Sequence, residues 1–222
     1  MANRPVFLST ENKPFVETID TEFEYHSGFS IGQKRKSISS LHENFLRNHE
    51  DEKILEISSK SENLQLGVKL SAFNLMLNVG GKQCSVESAF QASKVFENGG
   101  PYTDLLFLNS RDAKSDPRLR ESGRLRYFLF EAETFPLIPE TYFYDWLYIN
   151  ALKNQSDLSQ DLISGGYTAF TDIEFNPKKS INCQARSVAV YLGLVRTGLL
   201  EKALESSKAF REIVYFENLM LF

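Results

Sequence analysis

The longest run of patterned apolar positions lies near the C-terminus. Gln184 to Leu204 sets Val188, Tyr191, Leu192, Val195, Leu199 and Leu200 three and four residues apart, which predicts a helix. Gly198 is placed to break that helix in two. A second helix is predicted from Ser85 to about Glu97, with Val86, Ala89, Phe90 and Phe96 toward the core and Asn98-Gly99-Gly100-Pro101 as its stop. Ser40 to Arg47 carries Leu41, Phe45 and Leu46 at helical spacing. Shorter helices are predicted near Leu105 to Ser110, over Asp116 to Phe130, and from a Thr141 N-cap through Lys153. Ile54 to Ile57 and Gly67 to Phe73 read as strands, followed by a turn at Asn78 to Lys82. Residues 1–30 read as strands and turns, and residues 166–181 as irregular. The sum is a mainly α chain with a few short β-strands. Without repeats, low-complexity tracts or an evident linker, residues 1–222 read as one domain, with 1–53 as an extension and 54–205 as its core.

Composition narrows the class. Hydrophobic residues make up 42% and charged residues 24% of the 222, typical of a soluble globular protein and unlike disordered or collagen-like chains. A net charge of -4 argues against nucleic-acid binding driven by overall charge, and leaves room for a local basic pocket. No stretch approaches the roughly 18 consecutive apolar residues of a membrane span. Met1 to Pro14 lacks the apolar region of a secretory signal, so the chain is expected in the cytoplasm, with Cys84 and Cys183 as reduced thiols. His26, His42 and His49 lack metal-ligand spacing with the cysteines, and no metal or cofactor is expected. Trp146 and the rings of Tyr142, Phe143, Tyr144 and Tyr148 read as core.

One polar stripe interrupts an otherwise small or apolar helix. Glu87, Gln91 and Lys94 stand at i, i+4 and i+7, so a carboxylate, an amide and an amine share one face. The plain reading is a solvated face, with Glu87 favoured by the helix dipole. The chemical reading is an acid–base carboxylate with two polar neighbours lining a cleft.

Three segments carry a resemblance. Leu70-Ser71-Ala72-Phe73-Asn74, a Gly-Gly-Lys turn and Ser85-Val86-Glu87 through Phe90-Gln91-Ala92-Ser93-Lys94-Val95-Phe96 occur in the order and separation of the NADAR (YbiA-like) family, so the chain resembles that family. Ala113-Lys114 is similar to its next short segment. Thr171-Asp172-Ile173-Glu174-Phe175 is similar to its Asp-x-x-Trp segment with Phe for Trp, and Asn182 to its later Asn. The chain departs from the family in carrying Asn176 to Ile181 where a glycine-rich run is usual. The long N-terminal extension resembles the branch found beside DarT-type DNA ADP-ribosyltransferase toxins.

That resemblance implies a single-domain helical YbiA-like fold and an antitoxin that removes ADP-ribose from guanine in DNA by hydrolysing an N-glycosidic bond. Glu87 aligns with the family's catalytic Glu, and Asp172 is the second carboxylate, for a ribose hydroxyl or the water. A carboxylate suits this chemistry because positive charge develops on the sugar ring. A lysine forming a Schiff base with the opened sugar is also implied, with Lys94 and Lys60 as candidates. Ligand contacts are expected from Ser59, Phe73, Asn74, Gln91, Phe175, Asn182 and Arg186. The basic run at Lys34, Lys36 and Ser37, leading into a helix start near Ser39 or Ser40, would meet phosphate or DNA backbone. The rival readings are N-glycosidase action on a riboflavin-pathway intermediate, and a module that binds ADP-ribose or the toxin without turnover.

Overall fold

A computed structural model describes residues 1–215. Along the chain run β1 (Ala2–Ser9), β2 (Val16–Phe23), α1 (Ile31–Leu46), β3 (Ile54–Glu56), β4 (Met76–Val79), β5 (Lys82–Ser85), α2 (Val86–Ala92) and β6 (Lys94–Phe96). After a tight helical turn at Thr103–Phe107 come α3 (Ser110–Ser115), α4 (Arg118–Glu121), β7 (Leu125–Phe130), β8 (Glu133–Phe135), α5 (Tyr142–Lys153), α6 (Ser156–Ser164), β9 (Ala169–Thr171), α7 (Gln184–Arg196), α8 (Leu200–Ala203) and α9 (Ser207–Val214). They form two units: Met1–Ser71 joined by the chain from Asp157 onward, and the continuous segment Ala72–Ser156.

The first unit is built on a sheet of order β2-β1-β9-β3. β1 and β2 pair antiparallel over their whole length, from Ala2↔Phe23 to Ser9↔Val16. β9 runs antiparallel to β1 and parallel to β3. Strand alternation turns Val6 and Ala169 to one face, where they pack with Phe23, Ile173 and the Ile38, Leu41 and Phe45 stripe of α1. α1 is started by Ser30, whose hydroxyl oxygen accepts from the Gln33 N–H. α7 packs on β1, β2 and β9, and ends at Gly198, whose φ of +67° side-chain-bearing residues rarely adopt.

The second unit has a β4–β5 hairpin closed by Gly80-Gly81 and a three-stranded sheet of order β6-β7-β8. An aromatic core joins α2, the sheet and α5. Phe143 sits 4.7 Å from both Phe128 and Phe135, and Phe90 lies 5.3 Å from Phe128 and 5.0 Å from Tyr144. Each such ring buried is worth about 1.5–3 kcal/mol.

The expectation of a mainly α fold is overturned. The described residues are 39% helix and 20% strand, a mixed α/β architecture. Most of the difference lies in strands whose partners are distant. The stretch expected as helix over Asp116–Phe130 is helical only at Arg118–Glu121; Leu125–Phe130, rich in aromatic residues, becomes β7 between β6 and β8. The helix expected to reach Glu97 stops at Ala92, and Lys94–Phe96 pairs with β7. Part of the irregular 166–181 stretch is β9, a central strand. Gly67 to Phe73 forms turns, not a strand; a side chain at Gly67 would collide with the Glu56 carbonyl oxygen and the Ser61 hydroxyl. α1 begins nine residues before Ser40, so no helix start lies near Ser39 or Ser40. α5 has the expected span, but Thr141 makes no capping bond through its side chain. The strands within residues 1–30, the β3 strand, the Gly80-Gly81 turn and the break at Gly198 are as expected. Cys84 and Cys183 are buried free thiols. No helix among the described residues is long and apolar enough to cross a membrane.

Candidate active site

In the second unit, Ser85 ends β5 and caps α2, its oxygen accepting from the Ser88 N–H at 3.0 Å. The cap fixes the first turn so that Glu87 points inward; only 5% of its surface is exposed. Its Oε1 accepts from Gln91 Nε2 at 2.8 Å and lies 3.3 Å from the Lys114 ammonium. Gln91 Oε1 in turn accepts from Lys94 Nζ at 2.7 Å. The line is therefore Lys94–Gln91–Glu87–Lys114. A buried carboxylate is costly unless paired, and here one cation touches it and a second reaches it through an amide.

Lys94 differs from its expected place. It stands on β6 and not on the helix, yet it still reaches Gln91 because only Ser93 separates the two elements. Its ammonium lies 4.8 Å from the Phe90 ring centre. Burial pushes its pKa down to about 8; Lys114 pushes the same way, and Glu87 opposes. An amine with that pKa is neutral often enough near pH 7 to act as a nucleophile or a base. Lys114, on α3, is mostly exposed and lies over Phe73, 5.2 Å from the ring centre.

The first unit holds a different cluster. Glu56, at the end of β3, is buried and accepts three hydrogen bonds: from Ser58 Oγ at 2.6 Å, Thr171 Oγ1 at 2.6 Å and the Ile173 N–H at 2.9 Å. His42 Nε2 donates to Thr171 Oγ1 at 2.8 Å, since the threonine's own proton is committed to Glu56. Burial lowers the His42 pKa to about 4, so its ring is neutral. Asp172, one residue past β9 and half-buried, accepts from the Glu174 N–H at 3.0 Å and from Gln184 Nε2 at 2.9 Å. Its pKa is raised by burial and then by the charge of Glu56; that of Glu56 is raised by burial. Among the described residues no cation is bonded to either acid, and the raised pKa of Asp172 lets the pair hold a proton near neutral pH.

The remaining expected residues divide by unit. Phe73 and Asn74 are exposed in the second unit, with Glu87, Gln91 and Lys94. In the first, Lys34 pairs with Glu174 at 3.0 Å, two residues from Asp172. Lys36 is exposed, whereas Ser37 is fully buried, its hydroxyl oxygen accepting from the His26 N–H at 2.9 Å. Ser59 is exposed and Lys60 half-buried, its backbone N–H held by Ser58 Oγ at 3.1 Å. Phe175 packs on Phe7 with ring centres 6.3 Å apart. Arg186 lies 5.9 Å from the Tyr215 ring centre. Asn182 keeps a buried side-chain oxygen that no hydrogen bond satisfies among the described residues; such an acceptor is costly unless a ligand or water meets it.

Among the residues of these networks not expected as site residues are Lys114, Glu56, His42 and Gln184. Glu56 had a signal, an acid between apolar residues in Ile54-Leu55-Glu56-Ile57, where a strand must bury or expose it. The other three meet their partners only through the tertiary fold.

A family model described as DarT1-associated NADAR antitoxin matches residues 2–220. No curated protein matches the sequence.

Proposed function

The chain belongs to the DarT1-associated NADAR antitoxin family, and from that premise we propose that it is an ADP-ribosyl glycohydrolase that frees guanine in DNA from ADP-ribose. The observation that carries this reading is Glu87, buried and bridged to Lys94 through Gln91. Breaking a C–N glycosidic bond puts positive charge on the ribose ring, and a fixed carboxylate in a water-poor setting stabilises it. Glu87 takes that role, with Lys114 placed beside it and Gln91 fixing its rotamer. Overall, water adds at the anomeric carbon, and the guanine nitrogen leaves with a proton.

Lys94 gives the reaction a second path to the same products. Its neutral amine attacks the anomeric carbon, the guanine nitrogen leaves with a proton as the ring opens to a lysine imine, and water hydrolyses that imine to the sugar aldehyde and the free amine. Asp172 remains in this reading as the second carboxylate, for a ribose hydroxyl or the water; its raised pKa favours a protonated, hydrogen-bond-donating form.

The test uses an oligonucleotide carrying ADP-ribosyl-guanine, with released ADP-ribose followed by chromatography. The native protein should release it, and Glu87→Gln should be slower by about 10²–10⁴. Tight ADP-ribose binding without release would instead make the protein a capture module.

A further inference from the structure

Beside the Glu87 network, and within the same unit, the surface opens into a cavity of about 590 Å³ lined by Phe73, Asn74, Ser85, Phe107, Asn109 and Arg111, among others. Pockets of roughly 300–1,000 Å³ take ligands of nucleotide size. Its apolar wall is unusually bare: Phe107 is 51% exposed, Leu108 44% and Phe73 36%. Water-facing rings on a chain of this kind mark a binding surface.

The charges around the cavity indicate what binds. Lys82 Nζ lies 5.3 Å from the Phe107 ring centre, Lys114 holds the same relation to Phe73, and Arg111 is exposed on α3. The acid among the lining residues, Asp112, is engaged by the Asn109 side chain, which accepts from its backbone N–H and donates to its carboxylate. A cationic rim on a chain of net charge -4 is a local reversal of sign. Flat apolar rings with cations beside them suit stacked bases and their phosphates, the pattern by which single strands are held without reading sequence. An apolar protein segment would not call for three cations at the rim.

The cavity also adjoins the carboxylate. Lys114 touches Glu87 and covers Phe73, and Ser85 both lines the cavity and caps the helix that carries Glu87. We propose that this cavity seats a nucleotide of single-stranded DNA next to the modified guanine, its base against Phe107 and its phosphates toward Lys82 and Arg111. The proposal rests on DNA as the substrate and adds to it a subsite for the strand.

The experiment measures fluorescence-anisotropy binding of an unmodified single-stranded deoxyoligonucleotide, which requires no catalysis. Phe107→Ala should weaken binding about tenfold and Phe107→Trp should restore it, since stacking is what is lost. Lys82→Ala with Arg111→Ala should make the salt dependence shallower by about 1.4 in slope, at about 0.7 per phosphate contact on a single strand. Hydrolysis is read separately, as the ratio of kcat/KM on the modified oligonucleotide to that on ADP-ribosyl-guanosine; Phe107→Ala should lower that ratio about tenfold. Equal binding by native and Phe107→Ala protein, or no oligonucleotide binding by native protein, overturns the subsite. Failure to cleave the modified oligonucleotide overturns the glycohydrolase reading and leaves the anisotropy result to decide this one.

Discussion

The two units each bury carboxylates but neutralise them differently. Glu87 is given positive partners: Lys114 at 3.3 Å and, through Gln91, Lys94. Glu56 and Asp172 are given neutral donors, a pair of hydroxyls, two backbone N–H groups and an amide, and each other's charge. The first arrangement sets cations about its acid, and burial lowers the pKa of Lys94 toward neutrality against the pull of Glu87. The second keeps a proton. A buried acid is thus not one kind of signal: the type of its nearest donors decides whether it serves as an anion or as a weak acid.

Removing the amine breaks the comparison most severely. Lys94→Met should reduce ADP-ribose release by about 10²–10⁴. In the native protein the rate should climb from pH 6 and level off above about 8, as the Lys94 amine loses its proton. Borohydride trapping of a covalent sugar adduct in the native protein, absent from Lys94→Met, would tie that pH profile to imine formation; trapping that survives the substitution would move the role to another lysine.

The next effect is on stability. Glu56→Ala leaves the Ser58 and Thr171 hydroxyls and the Ile173 N–H without their acceptor. At about 1–3 kcal/mol for each buried donor left bare, the loss should be about 3 kcal/mol or more in urea unfolding. A loss well below this would mean that water enters the cluster freely.

The smallest effect sharpens the contrast by pH. Asp172 has a folded-state pKa raised above the unfolded value of about 3.9. Its stabilising effect is therefore full below that value and is lost as pH rises toward the folded pKa. Asp172→Asn cannot ionise, so its drop in melting temperature between pH 5 and pH 8 should be smaller than the native protein's. The difference should be about 1 kcal/mol, because the half-buried position lets water relieve much of the burial penalty. An unchanged drop would show that Asp172 is ionised throughout.

What could be read from the sequence was what neighbouring residues decide. Gly198 ends its helix where the pattern broke, Gly80-Gly81 turns the chain, and the Glu87–Gln91 contact follows from a four-residue spacing. Even Lys94 reached its expected partner from an unexpected element. The strands β6, β7 and β9 were missed because pairing creates them: β9 has three residues and takes its shape from β1 and β3, more than a hundred positions upstream. Lys114 lies 27 positions beyond Glu87, and His42 is 129 from Thr171. No local pattern encodes those meetings, though Glu56, an acid inside an apolar strand, announced that it would need partners.

The sheet order β2-β1-β9-β3 has a consequence for how the chain is made. β9 fits between β1 and β3, so both of those strands keep an open edge until Ala169 leaves the ribosome. At roughly 5–20 residues per second, the stretch from Glu56 to Ala169 takes about 6–23 s to synthesise. The Glu87 unit, continuous from Ala72 to Ser156, is fully translated within that interval. The nascent protein thus acquires the segment bearing Glu87 before it can complete the sheet beside Glu56 and Asp172, and a message cut short before β9 would yield that segment alongside an N-terminal hairpin with its edge exposed.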